Sequence, residues 1–300
     1  MYQIKRAVRN NGPVIEQHNN GTLEYLTFPL LEQTGIVEHL FSTRLGGVSE
    51  GIFASMNLSF TRGDNPEHVL ENYRRIGAVL GITPEQMVAS RQTHTTNIRV
   101  VTKEDCGKGI VVPLDYDDVD GLITKEKGIA LVTSYADCVP LYFVDPVHEV
   151  IGLAHSGWRG TVQRMGACMV DRMKQEFGSN PKDFFAAIGP SICRDCYEVS
   201  EDVAEAFTEL ERSHKEALRD ICESGMYARV NCVTPGRKPG KYQLDLWLAN
   251  AAILVGAGIP VEQIAITDIC TCHNSGYLFS HRASQGQRGA LNAFLMLKEN

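Results

Sequence analysis

No run of apolar residues in the 300-residue sequence approaches eighteen, roughly the minimum for a helix that crosses a bilayer. A membrane span is therefore not expected. The N-terminal stretch from Met1 to Gln17 lacks a continuous apolar h-region, which argues against secretion and for a cytoplasmic protein. An excess of basic residues is missing too: 29 Lys and Arg stand against 36 Asp and Glu, a net charge of −7. That balance speaks against a nucleic-acid or anionic-membrane partner, since both want a basic face. There is no GxGxxG fingerprint and no Walker A loop, so neither dinucleotide nor P-loop nucleotide binding is indicated. No internal repeat, low-complexity tract or long linker divides the chain, and nothing predicts an oligomeric state. None of the nine histidines forms a His-x-His pair.

What is present is an ordinary globular composition, 43% hydrophobic and 22% charged, with ample core for one domain over residues 1–300. Strands and helices alternate without a strict βαβ rhythm, which predicts an α+β (mixed α/β) fold with mixed sheets. Residues 1–35 read as N-terminal edge strands around the turn Asn19-Asn20-Gly21. Asn65-Pro66-Glu67 opens a helix that Gly81 closes. Three largely apolar segments, Ile129–Ser134, Leu141–Val144 and Val150–Ala154, suit strands covered on both faces. The stripe of Val162, Met165, Met169, Val170 and Met173 predicts one helix over 161–177, its methionines serving as core filler. Residues 211–240 read as a loop-rich excursion, and Ala290–Leu297 as a closing amphipathic helix. The aspartates at 115, 117, 118 and 120 read as a solvated acidic loop.

The chemistry-bearing stretch runs from Val132 to Thr161. An apolar strand leads to Asp137 and Cys138. A second strand ends at His155, followed by the Gly-rich turn Ser156-Gly157-Trp158-Arg159-Gly160. Upstream, Arg91-Gln92-Thr93-His94 supplies another imidazole. His94, Cys138 and His155 form a three-ligand set for one zinc with a position left open, and their wide separation fits a catalytic site better than a structural one. A metal-free reading uses the same residues, with Cys138 as nucleophile, His155 as its base and His94 as orienter. Asp137 could orient a ligand or carry a proton. Arg44, with the amides of Gly46 and Gly47, could cradle an anion, as could Arg159. Trp158 could stack on a flat ring or cap the core. The close pairs Cys193/Cys196 and Cys270/Cys272 could mark a second metal or a redox couple. Neither has zinc-ribbon spacing with a matching second pair, so incidental thiols are the plainer reading.

Six ordered blocks make the reading more specific: Phe41-Ser42-Thr43-Arg44-x-Gly46-Gly47-Val48-Ser49, Gln92-x-His94, Ala136-Asp137-Cys138-x-Pro140, His155-Ser156-Gly157-Trp158-Arg159-Gly160-Thr161, Ile188-Gly189-Pro190-Ser191-Ile192 and Asp245-Leu246-Trp247. From about residue 37 to the C-terminus the chain resembles the YfiH/YlmD family, bacterial relatives of the human laccase-domain-containing protein. The resemblance implies a layered α/β/β/α arrangement like the catalytic domain of cytotoxic necrotizing factor. It implies zinc held by His94, Cys138 and His155. It also implies phosphorolysis of adenosine, inosine and methylthioadenosine, with deamination of adenosine. Older family labels say polyphenol oxidase or laccase, and editing of cell-wall muropeptide precursors is an alternative. Four coppers would need several His-x-His pairs, so copper is disfavoured. Two departures stand out. Cys193 and Cys196 form a CxxC, and His281, beside Arg282, replaces a common tyrosine. His281 and Arg282 are candidates for lining the substrate pocket, or for a helix-start contact.

Overall fold

The computed structural model describes residues 1–7, 14–21 and 23–299. Residues 8–13 and Thr22, inside the N-terminal reading, lie outside the described residues. Fifteen strands are present among those described: β1 (Glu16–Asn19), β2 (Glu24–Thr27), β3 (Val37–Ser42), β4 (Met87–Ala89), β5 (Ile98–Val100), β6 (Gly121–Thr124), β7 (Ala130–Tyr135), β8 (Val139–Asp145), β9 (Val150–Ser156), β10 (Phe185–Ile188), β11 (Glu198–Ser200), β12 (Val233–Pro235), β13 (Lys241–Leu244), β14 (Ile264–Ile266) and β15 (Leu291–Leu297). The helices are α1 (Pro29–Glu32), α2 (Pro66–Leu80), α3 (Trp158–Val162), α4 (Met165–Phe177), α5 (Glu201–Ser213), α6 (Lys215–Glu223) and α7 (Leu246–Gly256).

Two six-stranded mixed sheets face each other, ordered β1-β2-β3-β15-β7-β4 and β14-β10-β8-β9-β6-β5, and a small sheet β11-β13-β12 lies apart. The inner faces share a core. Phe41, Leu131, Tyr135 and Leu295 come from the first sheet, and Leu122, Tyr142, Val144, Ile151 and Leu153 from the second. Helix α2 covers the outer face of the first sheet through Val69, Tyr73, Ile76 and Leu80. Helices α4 and α7 cover the outer face of the second through Met165, Met169, Met173, Ile253 and Leu254. The result is the mixed-sheet fold that the sequence pattern predicts, in the α/β/β/α layering that the family resemblance implies. Asn65 caps α2 by accepting from the Glu67 N–H, and Gly81 ends it at φ 72°, a conformation glycine adopts without steric cost.

Three expectations are corrected. The closing segment is not a helix but β15, a central strand paired with β3 and β7. Its residues alternate. Leu291, Ala293 and Leu295 enter the core between the sheets, and Phe294 and Met296 face α2. With both faces buried, its residues, apolar but for Asn292, carry no polar alternation, and burial overrides the helix propensity of Leu, Ala and Met. The helix expected over 161–177 is two helices, because Arg164 takes left-handed backbone at φ 61° between α3 and α4. The polar stretch 211–240 contains α6, whose buried Ala217, Leu218 and Ile221 form a stripe too short to stand out among its charges.

Candidate metal centre

The register of the second sheet gathers four strand ends. Strands β8 and β9 pair antiparallel with Val139 opposite Ser156 and Pro140 opposite His155. The residue entering β8, Cys138, therefore lies beside the end of β9. Strand β6 begins opposite the same end, with Gly121 facing Ala154, so Asp120 sits there too. Strand β5 starts level with β6, Ile98 beside Gly121, and the loop before it carries His94. Gln92 fastens that loop to β7: its Nε2 donates to the Ser134 carbonyl at 2.7 Å, and its Oε1 accepts the Ser134 N–H at 2.6 Å.

The predicted trio converges. One donor atom each from His94, Cys138 and His155 lies within 4.8 Å of the others, and the two imidazoles stand edge to face with centroids 4.9 Å apart. His155 is deeply buried, Cys138 half-buried and His94 exposed, so the centre opens on the His94 side. A Cβ added at Gly157 would meet His94 Cδ2 at 3.0 Å and Cys138 Sγ at 3.1 Å. Glycine there leaves a hollow against the donors that any other residue would fill. His94 and Asp137 hold left-handed backbone, at φ 69° and 88°. Non-glycine residues keep such conformations only where the surroundings enforce them, and they concentrate at functional sites.

Asp120, expected in a solvated loop, is instead wholly buried and organises the centre. Its Oδ1 lies 2.7 Å from His155 Nδ1 and accepts the His94 N–H at 3.2 Å. Its Oδ2 accepts the Thr93 and Thr95 N–H groups at 2.9 and 3.1 Å. With Nδ1 taken, Nε2 is the His155 atom left to face Cys138 and His94. Burial opposes the Asp120 charge, yet the bond to His155 and the amide donors hold its carboxyl below the ordinary value. The same competition acts on Cys138: burial pushes its thiol up, but the His155 charge and hydrogen bonds from both imidazoles bring it down to about 6. Burial disfavours a charged His155, and the Cys138 and Asp120 charges more than offset that and raise its pKa. Without an ion these residues form a thiolate–imidazolium pair, so the donor set favours the deprotonated sulfur that a metal needs.

The other sequence candidates are placed as follows. Arg44 Nε and Nη2 donate to the Ala54 carbonyl and Nη1 to that of Ser275, and its guanidinium lies over the Phe279 ring. Two of the five N–H donors of an arginine remain for a ligand. The Gly47 N–H donates to Ser55 Oγ, and a Cβ at Gly47 would strike the Ser55 carbonyl oxygen. Gly46 has φ 89°, and its carbonyl accepts from Arg75 Nη1. Trp158 opens α3 with the Arg159 guanidinium 4.4 Å from its ring centroid. Asp137 accepts from Thr271 Oγ1 at 2.6 Å and from the Arg282 N–H at 2.7 Å, so both its oxygens are engaged. The Arg282 guanidinium donates to the carbonyls of Cys196 and Glu198, and the His281 side chain is exposed.

Besides Asp120 and Gly157, sequence reasoning missed Arg288. This side chain has a buried Nε without a hydrogen-bond partner. Burial and the Arg62 charge bring its pKa down to about 10, while the nearby Asp137 and Cys138 charges pull the other way. It lines a cavity of about 230 Å³ with Arg44, Phe279, Ser280, Ser284 and Gln287. Nothing in the local pattern around 288 marks it. Asp120 did carry a signal, as the last acid before the apolar strand Gly121–Thr124.

Fold and cluster together define a layered α/β protein carrying a dispersed His–Cys–His centre at the end of one sheet. The chain belongs to the family described as multi-copper polyphenol oxidoreductase laccase, whose model matches residues 38–298. It is 35% identical over 263 residues to the purine nucleoside phosphorylase YlmD of Bacillus subtilis, covering 86% of this chain and 88% of that protein. It is 33% identical over 251 residues to adenosine deaminase RL5 from an unknown prokaryotic organism, covering 81% and 87%. The crystal structure of YlmD from Geobacillus stearothermophilus superimposes with a TM-score of 0.82 at 33% identity, over 96% of this chain and all of that one. No helix among the described residues is long and apolar enough to cross a membrane.

Proposed function

We propose that this chain is a zinc-dependent, cytoplasmic purine nucleoside enzyme. In this reading it phosphorolyses adenosine, inosine and methylthioadenosine to free base and the ribose 1-phosphate, and deaminates adenosine. The observation that carries the reading is the convergence of His94, Cys138 and His155 around one open point. Those residues would hold the ion. Two neutral imidazoles and a thiolate suit zinc, three protein donors leave a position free, and the Gly157 hollow keeps that side clear. When bound, zinc would supply Lewis acidity to water or to a substrate oxygen, the chemistry a deamination uses. The names of the relatives support both activities.

The chain's own residues divide the remaining work. Asp120 orients His155 and shapes the loop that presents His94. Arg44 and Arg288 would hold phosphate in the cavity they share, where two guanidinium groups offer charge and directed donors. Asp137 braces the turn that presents Cys138, and a proton route through it would require one of its two bonds to open. Trp158, His281 and Arg282 are the candidates for the substrate rim. Copper oxidase chemistry fits the residues poorly. Of nine histidines, only His94 and His155 share a donor cluster among the described residues, whereas His39 accepts the Phe28 N–H and His148 pairs with Asp145.

The test incubates the zinc-loaded protein with adenosine, with and without phosphate. Adenine and ribose 1-phosphate formed only with phosphate support the phosphorylase, and inosine in either condition supports deamination. If neither appears, the nucleoside reading fails.

A further inference from the structure

Strands β10 and β14 run parallel, Ile188 beside Ile266, and both end on the side of the sheet where β8 begins. The segments that follow stay together: Ser191 bridges to Cys270, and the Thr271 N–H donates to the Ser191 carbonyl. This brings the CxxC of Cys193 and Cys196 against Cys270 and His273. One donor atom from each of these four residues lies within 4.8 Å of the others.

We propose that Cys193, Cys196, Cys270 and His273 form a second metal site, a closed Cys3His centre that takes zinc as a structural ion. The proposal does not rest on the nucleoside reading. Its spacing is that of two knuckles, Cys193-x2-Cys196 and Cys270-x2-His273, a pattern known from structural zinc sites. The partner of the CxxC is thus a Cys–His pair rather than the Cys270-x-Cys272 pair that a count of cysteines suggests. Cys193 Sγ and His273 Nδ1 are 3.6 Å apart. Zinc bonds of about 2.3 Å to sulfur and about 2.0 Å to nitrogen, at a tetrahedral angle, give a separation of about 3.5 Å. Cys270 Sγ accepts the Cys193 N–H at 3.3 Å, a contact that favours a charged sulfur. Four protein donors leave no position for substrate, unlike the centre at Cys138. On binding, the three thiols release three protons to solvent and the imidazole binds neutral. Cys272 is not in the set: its sulfur is not among the four donors that converge, and its thiol is hydrogen-bonded to Cys196 and to Ser280.

The ion would tie together the two segments that hold the Asp137 turn. The Ile192 N–H donates to the Asp137 carbonyl, and Thr271 Oγ1 donates to its carboxylate. Each of these residues is the chain neighbour of a proposed ligand, and Asp137 is the neighbour of Cys138.

Native mass spectrometry of the full chain, purified with reductant and without chelator, tests the proposal on the unaltered protein. Two zinc ions per chain are expected, and a single ion that is lost with Cys138→Ser and kept with Cys193→Ser would overturn it. Cobalt substitution then locates the second ion. Cys138→Ser removes the only sulfur of the first centre, so about three-quarters of the thiolate-to-cobalt absorbance should remain, three sulfurs of four. Cys193→Ser should reduce the count by one ion, and Cys272→Ser should leave it at two. Three results would overturn the assignment: a chain two mass units light from a disulfide among these cysteines, loss of the absorbance with Cys138→Ser, or an ion lost with Cys272→Ser and kept with His273→Ala.

Discussion

Two clusters of metal-type donors stand at the same end of the second sheet, and they are built in opposite ways. Around Cys138 the donors come from residues 94, 138 and 155, each at a different strand end, with a buried carboxylate behind them and a glycine hollow beside them. Around Cys270 the donors come in two close pairs. The electrostatics differ in sign. The imidazoles bring the Cys138 thiol down against its burial. Burial and neighbouring thiols push Cys196 up, and the hydrogen bond to the Cys193 thiol together with burial pushes up Cys270. One lone sulfur among cations is poised as an anion, whereas crowded sulfurs repel each other's charge until a cation joins them. The contrast is between a cluster that carries its own compensating charge and one whose thiols would need a cation to lose their protons.

The largest effect is expected from Cys138→Ala or His155→Ala. Either should lower adenosine turnover by roughly 10³-fold or more, the scale of losing a Lewis acid worth several kcal/mol. One ion per chain should leave with it, while the ion at Cys270 stays. Full activity in either variant would break the comparison at its first term. Thiol reactivity sharpens it further. In protein stripped of metal, iodoacetamide should label Cys138 with a midpoint near pH 6, against an ordinary thiol value of 9.0. The sign follows from the lowered pKa: the thiolate forms as pH rises through 6, and the stability it contributes is lost as pH falls through the same value. Cys196 and Cys270 should stay unlabelled at neutral pH. Equal labelling of all three would remove the electrostatic distinction.

Much of this arrangement is legible in the sequence, because its signals are local. Residues 130–135, 139–145 and 150–156 announce buried strands, and His94, Cys138 and His155 stand beside strand ends with turn residues around them. What is illegible depends on partners far along the chain. Leu291–Leu297 could be strand or helix until β3 and β7 close on it, since a seven-residue segment that is apolar but for Asn292 has no period of its own. Asp120 looks like one more acid in an acidic loop, and only the register of β6 against β9 sets it under His155. The partner of the CxxC is invisible for a similar reason. It lies 77 residues away, from Cys193 to Cys270, and combines a cysteine with a histidine.

The smallest of the expected effects falls on Asp120, and it bears on the difference between the centres most directly. Asp120→Asn keeps the size of the side chain, and its single carbonyl oxygen can still accept from the Thr93 and Thr95 amides that Oδ2 holds, so the loop keeps two of its three anchors. It removes the carboxylate charge and acceptor that face His155 Nδ1 and so lowers the basicity of Nε2. Loss of such an outer carboxylate typically costs 10- to 100-fold in metal affinity or activity. A zinc-competition titration should therefore show weaker binding at the His–Cys–His centre by about that factor, with affinity at the Cys3His centre unchanged. Equal weakening at both would mean that Asp120 supports the sheet end as a whole and not His155 alone. No change at either would mean that the imidazole is oriented by its packing against Tyr135, whose ring lies 5.7 Å away, and that the carboxylate serves only the loop.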